Sequence, residues 1–353
     1  MPEHPNMGKG LTNLELLEYL ELPADILTKL QTEQGAEYQA TANQFLSALI
    51  NKVLYQTVDS MEFTNPFKKF DGFPVRFGDT IENIFVELPK GYKFDKDATD
   101  PFGKVVPAVK ALYATINYEL QYETTIQDSL LRRACINEYG FMNLIDTILA
   151  SLAKAMSLDE YKATLYALNN ADLFANGIEE IERGSSVSET AKTVTETIIN
   201  AVSAFELPMT ANNKAGILNI SNPSDCLLII KYDLLNSINL DYLTGVFNLS
   251  KVDLIKNIIK VDSFQVLKPG DETANPAVDP SLVGDDIDFM ILDSKGFDNH
   301  VALQDGGMIY NPKGKYTNHF MNLWKIISFK YFYNARAFKL VDPETTEAEG
   351  EGD

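Results

Sequence analysis

Cysteine, histidine and tryptophan are nearly missing from this 353-residue chain, which holds two, three and one of them. His4, His300 and His319 are the only imidazoles, and no HExxH, CxxC or Gly-x-Ser-x-Gly occurs, so zinc-hydrolase and α/β-hydrolase chemistries lack their usual parts. Cys135 and Cys226 stand in apolar surroundings and read as buried free thiols in a reducing compartment, without a disulfide framework. Basic charge is short as well. Thirty Lys and Arg against fifty Asp and Glu leave a net charge of -20, which argues against a tight grip on nucleic acid, since phosphate binding needs clustered cations. No apolar run approaches the roughly 18 residues that would cross a bilayer, and MPEHPNMGKG at the start has no signal-peptide core, so a soluble chain made in a cytoplasm is expected, without a membrane partner. A phosphate loop fails on spacing: six residues separate Gly307 from Gly314-Lys315 where four are needed, and Tyr316 replaces the Ser or Thr. That segment reads as a turn.

What remains is 45% apolar and long enough for a sizeable core. Residues up to about Phe70 read as helices: Thr12 and Glu15 form a possible capping box, Pro23 breaks the pattern, and Tyr38, Phe45, Leu49 and Val53 recur helically. From Phe73 the chain turns strand-like through Ile81, Ile84, Phe85 and Val86, passes a loop of Pro89, Gly91, Pro101, Gly103 and Pro107, and returns as a strand over Leu112 to Tyr122. Such a ribbon reaches on the order of 40 Å at about 3.3 Å per residue. An isolated hairpin is marginal in water, so it needs a surface to lie on.

Helical spacing then takes over. Phe141, Leu144, Ile145, Ile148, Leu149, Leu152, Ala155 and Met156 share one stripe, and Ser157 with Glu160 predicts a new helix start or a bend. Asn176-Gly177 is a stop signal. Ser186 and Glu189 open another helix, with Val187, Ala191, Val194, Ile198, Ala201, Val202 and Phe205 on one face and Pro208 closing it. Leu227 to Ile230 reads as a buried strand, Leu234 to Leu243 as mixed, and Lys260 to Val266 as strand. Residues 268–288 hold three prolines, two glycines and six acids, the composition of a solvated loop. Strands are expected at Phe289 to Leu292, Val301 to Leu303 and Trp324 to Phe338, the last with Phe329, Tyr331 and Tyr333 alternating. His300 and His319 flank a turn and should make ordinary polar contacts. Asp285, Asp286, Asp288, Asp293 and Asp298 could hold a divalent cation but lack the EF-hand spacing and closing Glu. Lys68-Lys69 and Arg132-Arg133 read as exposed charge or as partners for acids across a subunit boundary.

Several blocks, in this order, resemble one family: FGDTIENIFVELPKGYKFD (Phe77 to Asp95), the strand-to-helix segment Ile116 to Leu173, Cys226 to Leu254, IDFMILDSKGF (Ile287 to Phe297) and Asn318 to Phe338. The family is the major capsid protein of tailed bacteriophages, with the Hong-Kong-97-type fold, most similar to head proteins of small short-tailed phages of Gram-positive bacteria. The resemblance implies an α+β chain divided into a helical N-terminal arm (1–72), an extended β-ribbon (73–124), a peripheral domain with a long spine helix (125–208), an axial domain (209–299) and returning strands (300–340); the tail (341–353), acidic and without a base, reads as disordered from its composition. It implies a structural protein without catalytic residue, cofactor or metal, packed as hexamers and pentamers into an icosahedral or prolate head around double-stranded DNA. A separate scaffolding protein and a portal are the implied partners. The interface residues would be Ile84, Phe85, Tyr92 and Phe94 of the ribbon, with Phe141, Ile145, Ile148 and Leu152 forming the spine core that props it. Three rival readings are an encapsulin-like cellular compartment, a metal-dependent hydrolase using the acidic loop 285–298, and a monomeric adhesin.

Overall fold

The computed structural model describes residues 17–18, 21–33, 37, 40–42, 44–45, 64–76, 78–91, 93, 106–129, 140–238, 257–270 and 286–343; side chains at 27, 31, 140–150 and 153 are outside the description. Its organising strand is β5. Because Cys226–Lys231 (CLLIIK) is apolar at consecutive positions, it can be covered on both faces, and residues 226–230 are all buried. Numbered along the chain, α1 is Ile26–Thr32, β1 Ile81–Val86, β2 Val109–Ala114, β3 Tyr118–Gln127, α2 Gly140–Leu168, β4 Ile178–Glu182 and α3 Val187–Phe205. After β5 come α4 Tyr232–Ser237, β6 Ile258–Val261, β7 Phe289–Asp293, β8 His300–Asn311, β9 Tyr316–Ile326 and β10 Ala335–Val341.

A mixed five-stranded sheet runs in the order β4-β10-β7-β5-β6, parallel at β4-β10 and β5-β6 and antiparallel elsewhere. It draws strands from each of the segments 125–208, 209–299 and 300–340. Even-numbered residues of β5, Cys226, Leu228 and Ile230, meet Val194, Ile198, Val202 and Phe205 of α3. Odd-numbered Leu227 and Ile229 face the other way, toward Leu165 and Leu168 of α2 and toward Phe67, Phe174 and Phe264. The capping box at α3 forms as expected, with Ser186 Oγ accepting from Glu189 N at 3.3 Å. Of the expected α3 face, Ala191 through Phe205 is buried, while Val187 is 76% exposed in the first turn.

A second, antiparallel sheet has the order β3-β9-β8. Along β9, Thr317, His319, Met321, Leu323 and Lys325 alternate inward. Tyr118, Leu323 and Ile327 pack on Ala163, Met156 and Ala167 of α2, so one helix serves both sheets. At 29 residues, α2 is about 44 Å long.

Four expectations change. Residues 140–168 are one helix without a break at Ser157, because Glu160 does not turn back to cap: its carboxylate lies 3.6 Å from the Lys325 ammonium. The strand expected over Leu112 to Tyr122 is two, split at residues 115–117, where Asn117 donates to the Ile327 carbonyl at 2.7 Å. The strand expected over Trp324 to Phe338 is also two; residues 327–334 cross between the sheets, where Phe329 keeps only an isolated antiparallel bridge to Phe297, the two rings meeting edge-on at 5.7 Å. Strand pairing over Lys260 to Val266 is confined to Ile258–Val261. Thr12, Glu15, Tyr38, Leu49, Val53, Cys135, Arg132 and Arg133 lie outside the described residues.

Lys325 ties these parts together. Its side chain, 3% exposed, is 2.9 Å from Asp71 Oδ2 and 3.6 Å from Glu160 Oε1, which joins β9 to α2 and to the chain entering from the N-terminal side. Burial pushes the Glu160 carboxyl above its ordinary value, with Lys325 pulling the other way.

Candidate subunit interface

The ribbon is the antiparallel pair β1-β2, with Ile81 opposite Ala114, Ile84 opposite Ala111 and Val86 opposite Val109. Period-two geometry divides it into two faces. On the inner face, Asn83 donates to Asp298 Oδ2 at 2.6 Å, the Phe85 ring lies 5.6 Å from the Phe332 ring, and the Lys110 ammonium donates to the Ala215 carbonyl at 2.5 Å. The outer face carries Ile84, Val86, Val109 and Tyr113, all 54–63% exposed; Leu88 and Val106, just past the strands, are 72% and 71% exposed. Tyr113 donates to its cross-strand neighbour Glu82 at 2.9 Å.

The ribbon root is clamped by a buried acid. Asp298, 2% exposed, faces Asn83, the His300 Nε2 at 3.2 Å and the Lys330 ammonium at 3.3 Å. His300 Nδ1 lies 2.8 Å from the Phe73 carbonyl, and a β-carbon on Gly72 would collide with that imidazole. The first turn into the ribbon is therefore set by glycine and histidine together.

Of the four ribbon residues expected to meet neighbours, the structure places Ile84 on the open face and Phe85 against its own chain; Tyr92 and Phe94 are outside the described residues. Leu152 is buried in α2, and Phe141, Ile145 and Ile148 belong to the same helix, their side chains outside the description. Sequence reasoning passed over Val86, Val109 and Tyr113. The alternation along IENIFV and VKALYA groups them on one face, and the register shows which face is open.

The acids of the supposed metal loop are spread over unrelated tasks. Asp288 takes the Lys231 ammonium at 2.7 Å and the Leu340 amide at 2.7 Å, and Asp286 sits 3.4 Å from both Lys231 and Lys339. Asp293 accepts from Lys295 N at 3.0 Å, Asp298 holds the ribbon, and Asp285 is outside the described residues. Among the described residues, no group of three His, Cys, Asp or Glu converges on a metal position. His319 is the other surprise. It is buried on the α2-facing side of β9 with neither ring nitrogen hydrogen-bonded, and desolvation lowers its pKa to about 4, so it does not make the ordinary polar contacts expected of it.

A family model described as Phi29-like phage major capsid protein matches residues 24–339. The chain belongs to that family. The major capsid protein of Streptococcus phage Cp-1 is 26% identical over 354 residues, covering 93% of this chain and 94% of its own length. That of Bacillus phage B103 is 27% identical over 308 residues, covering 85% of this chain, which spans 64% of the B103 protein. Among solved structures, the capsid of Staphylococcus phage Andhra superposes with a TM-score of 0.61 at 13% identity, over 81% of this chain and 86% of that one. The capsid of Cyanophage P-SCSP1u gives 0.52 at 8%, over 78% and 87%. These likenesses establish the Hong-Kong-97-type capsid fold. This capsid protein is thus a component of the virion shell, and the compartment and adhesin readings give way to it. No helix among the described residues is long and apolar enough to cross a membrane.

Proposed function

We propose that this capsid protein assembles as hexamers and pentamers into a closed icosahedral or prolate head around double-stranded DNA, and that the outer ribbon face is a principal contact between copies. One observation carries the reading: a two-stranded ribbon, fastened to its own body by polar and aromatic contacts on one face, leaves Ile84, Val86, Val109 and Tyr113 open on the other. Tyr92 and Phe94, further along the same segment, extend that contact in this proposal, and Phe141, Ile145, Ile148 and Leu152 stiffen the helix that supports it. Covering four half-exposed side chains stabilises by about 1 kcal/mol each, or about 4 kcal/mol per ribbon before ordering costs. A single contact of that size is weak. Each subunit gives one ribbon and receives another, so a closed ring multiplies modest contacts into a stable shell.

Charge shapes the rest. With a net charge of -20, copies repel at low ionic strength and DNA is enclosed without being gripped; a scaffolding protein and a portal would supply curvature and an entry vertex. The work is structural, with no catalysed reaction. In the test, cells expressing the chain with and without the other head proteins are lysed and particles are sought by negative-stain microscopy across a salt series. Shells that Ile84→Asp abolishes are expected. A single small species under every condition would refute the reading.

A further inference from the structure

Within the link between α3 and β5, residues 207–223 carry only one charged side chain, Lys214. Their extended part inverts the usual pattern. Ile217 and Ser221 are 1% exposed and Asn219 is half-buried, whereas Leu218 and Ile220, between them, are 45% and 57% exposed. The inward side is fixed by amides: Asn213 Oδ1 accepts from Ile217 N at 2.9 Å, Asn219 donates to the Phe332 carbonyl at 2.8 Å, and Asn334 donates to Ser221 Oγ at 3.1 Å. An antiparallel bridge between Met209 and Asn219 sets Leu207 and Met209, 56% and 40% exposed, alongside. Buried side-chain amides that satisfy the backbone hold an irregular segment rigidly. What that rigid knuckle displays outward is aliphatic.

We propose that this knuckle is a second self-association surface, occupied by a neighbouring copy of the same chain; the inference rests on the assembly reading above. The knuckle lies against the inner side of the ribbon, where Ala215 accepts from Lys110 and its amide donates to the Tyr331 carbonyl at 3.1 Å, so its outward residues form a surface separate from the ribbon's outer face. Charge selects a second copy as its occupant: like-charged subunits attract best through uncharged surface, and residues 207–223 carry one charged side chain in a chain of net -20.

The test replaces the wild-type chain during infection with Leu218→Asp, Ile220→Asp or, for comparison, Ile84→Asp, and measures particle yield together with the melting midpoint of the free subunit. Both side chains point outward, so an unchanged midpoint and a particle yield lower by about tenfold or more are expected for L218D and I220D, a factor set by the loss of one modest contact. Normal yield for I220D alongside loss for I84D overturns this inference and leaves the ribbon reading intact; the opposite pair of results overturns the ribbon contact alone. Normal shells that lack another head protein assign the knuckle to a different partner and also overturn it. Should aspartate lower the midpoint, Ile220→Cys in a Cys135→Ser background is treated in intact particles with a thiol–amine crosslinker. A dimer band supports the contact, and its absence refutes it.

Discussion

Lys325→Met offers the sharpest check on how the subunit holds together. The substitution keeps the length of the aliphatic stem and removes a 3%-exposed ammonium that lies between Asp71 and Glu160, whose side chains are 21% and 13% exposed. Stripping one partner from a buried ionic cluster costs about 3–5 kcal/mol, because the carboxylates left behind have lost both water and counter-charge. Against total stabilities of about 5–15 kcal/mol, that approaches unfolding. The sign of the pH dependence follows from Glu160. Its folded pKa already stands above the ordinary carboxyl value, so between the two values the folded state binds more protons than the unfolded one, and stability falls as pH rises through that window. Losing Lys325 removes the chief opposing influence, raises the folded pKa further and widens the window upward. Urea unfolding of free subunits at pH 8 and pH 5.5 should therefore show a K325M deficit that shrinks in acid. Adding Glu160→Gln should return about 1–2 kcal/mol at pH 8 by neutralising one orphan. A deficit under about 1 kcal/mol, or one independent of pH, would refute the cluster's role as the tie between α2, β9 and the N-terminal approach.

Asn83→Ala removes the charge-assisted bond to Asp298, worth about 1.5–3 kcal/mol, and hydrogen exchange should speed up selectively in β1 and β2 while β5 and β7 stay protected. His319 is neutral in the fold; the gap between its ordinary 6.5 and about 4 means that about 3 kcal/mol, present above pH 6.5, is lost as pH falls to 4. His319→Leu should flatten the acid side of a melting-versus-pH curve relative to wild type. Ser186→Ala removes the α3 cap and should lower subunit stability by about 1 kcal/mol in the same urea assay, with little change in Ser185→Ala.

Elements whose own residues decide their structure were the ones legible in advance. Ser186 and Glu189 announced α3, its helical stripe matched the buried face from Ala191 to Phe205, and the apolar run of β5 marked a strand covered on both sides. Distant partners decided the rest. Glu160 looked like a cap because nothing nearby revealed Lys325, 165 residues on, and the Phe329–Tyr331–Tyr333 alternation looked like a strand because its partner ring, Phe297, cannot be read from local period. The ribbon was legible as two strands needing a surface. Which residues faced which way required the register, and that depends on Asn83 finding Asp298 and Phe85 finding Phe332. The knuckle left no local trace, since asparagines that staple a segment from within are, as letters, indistinguishable from loop asparagines.

The division of β1 by parity makes it intolerant of insertions in an unusual way. One extra residue directly after Ile81 would swing Asn83 and Phe85 out to solvent and turn Ile84 toward Asp298, so the strand would lose its hold on its own body and its outward stickiness in the same event. A paired insertion of two residues would preserve both orientations and merely lengthen the arm. In β1, then, the number of residues gained or lost matters less than whether that number is odd or even.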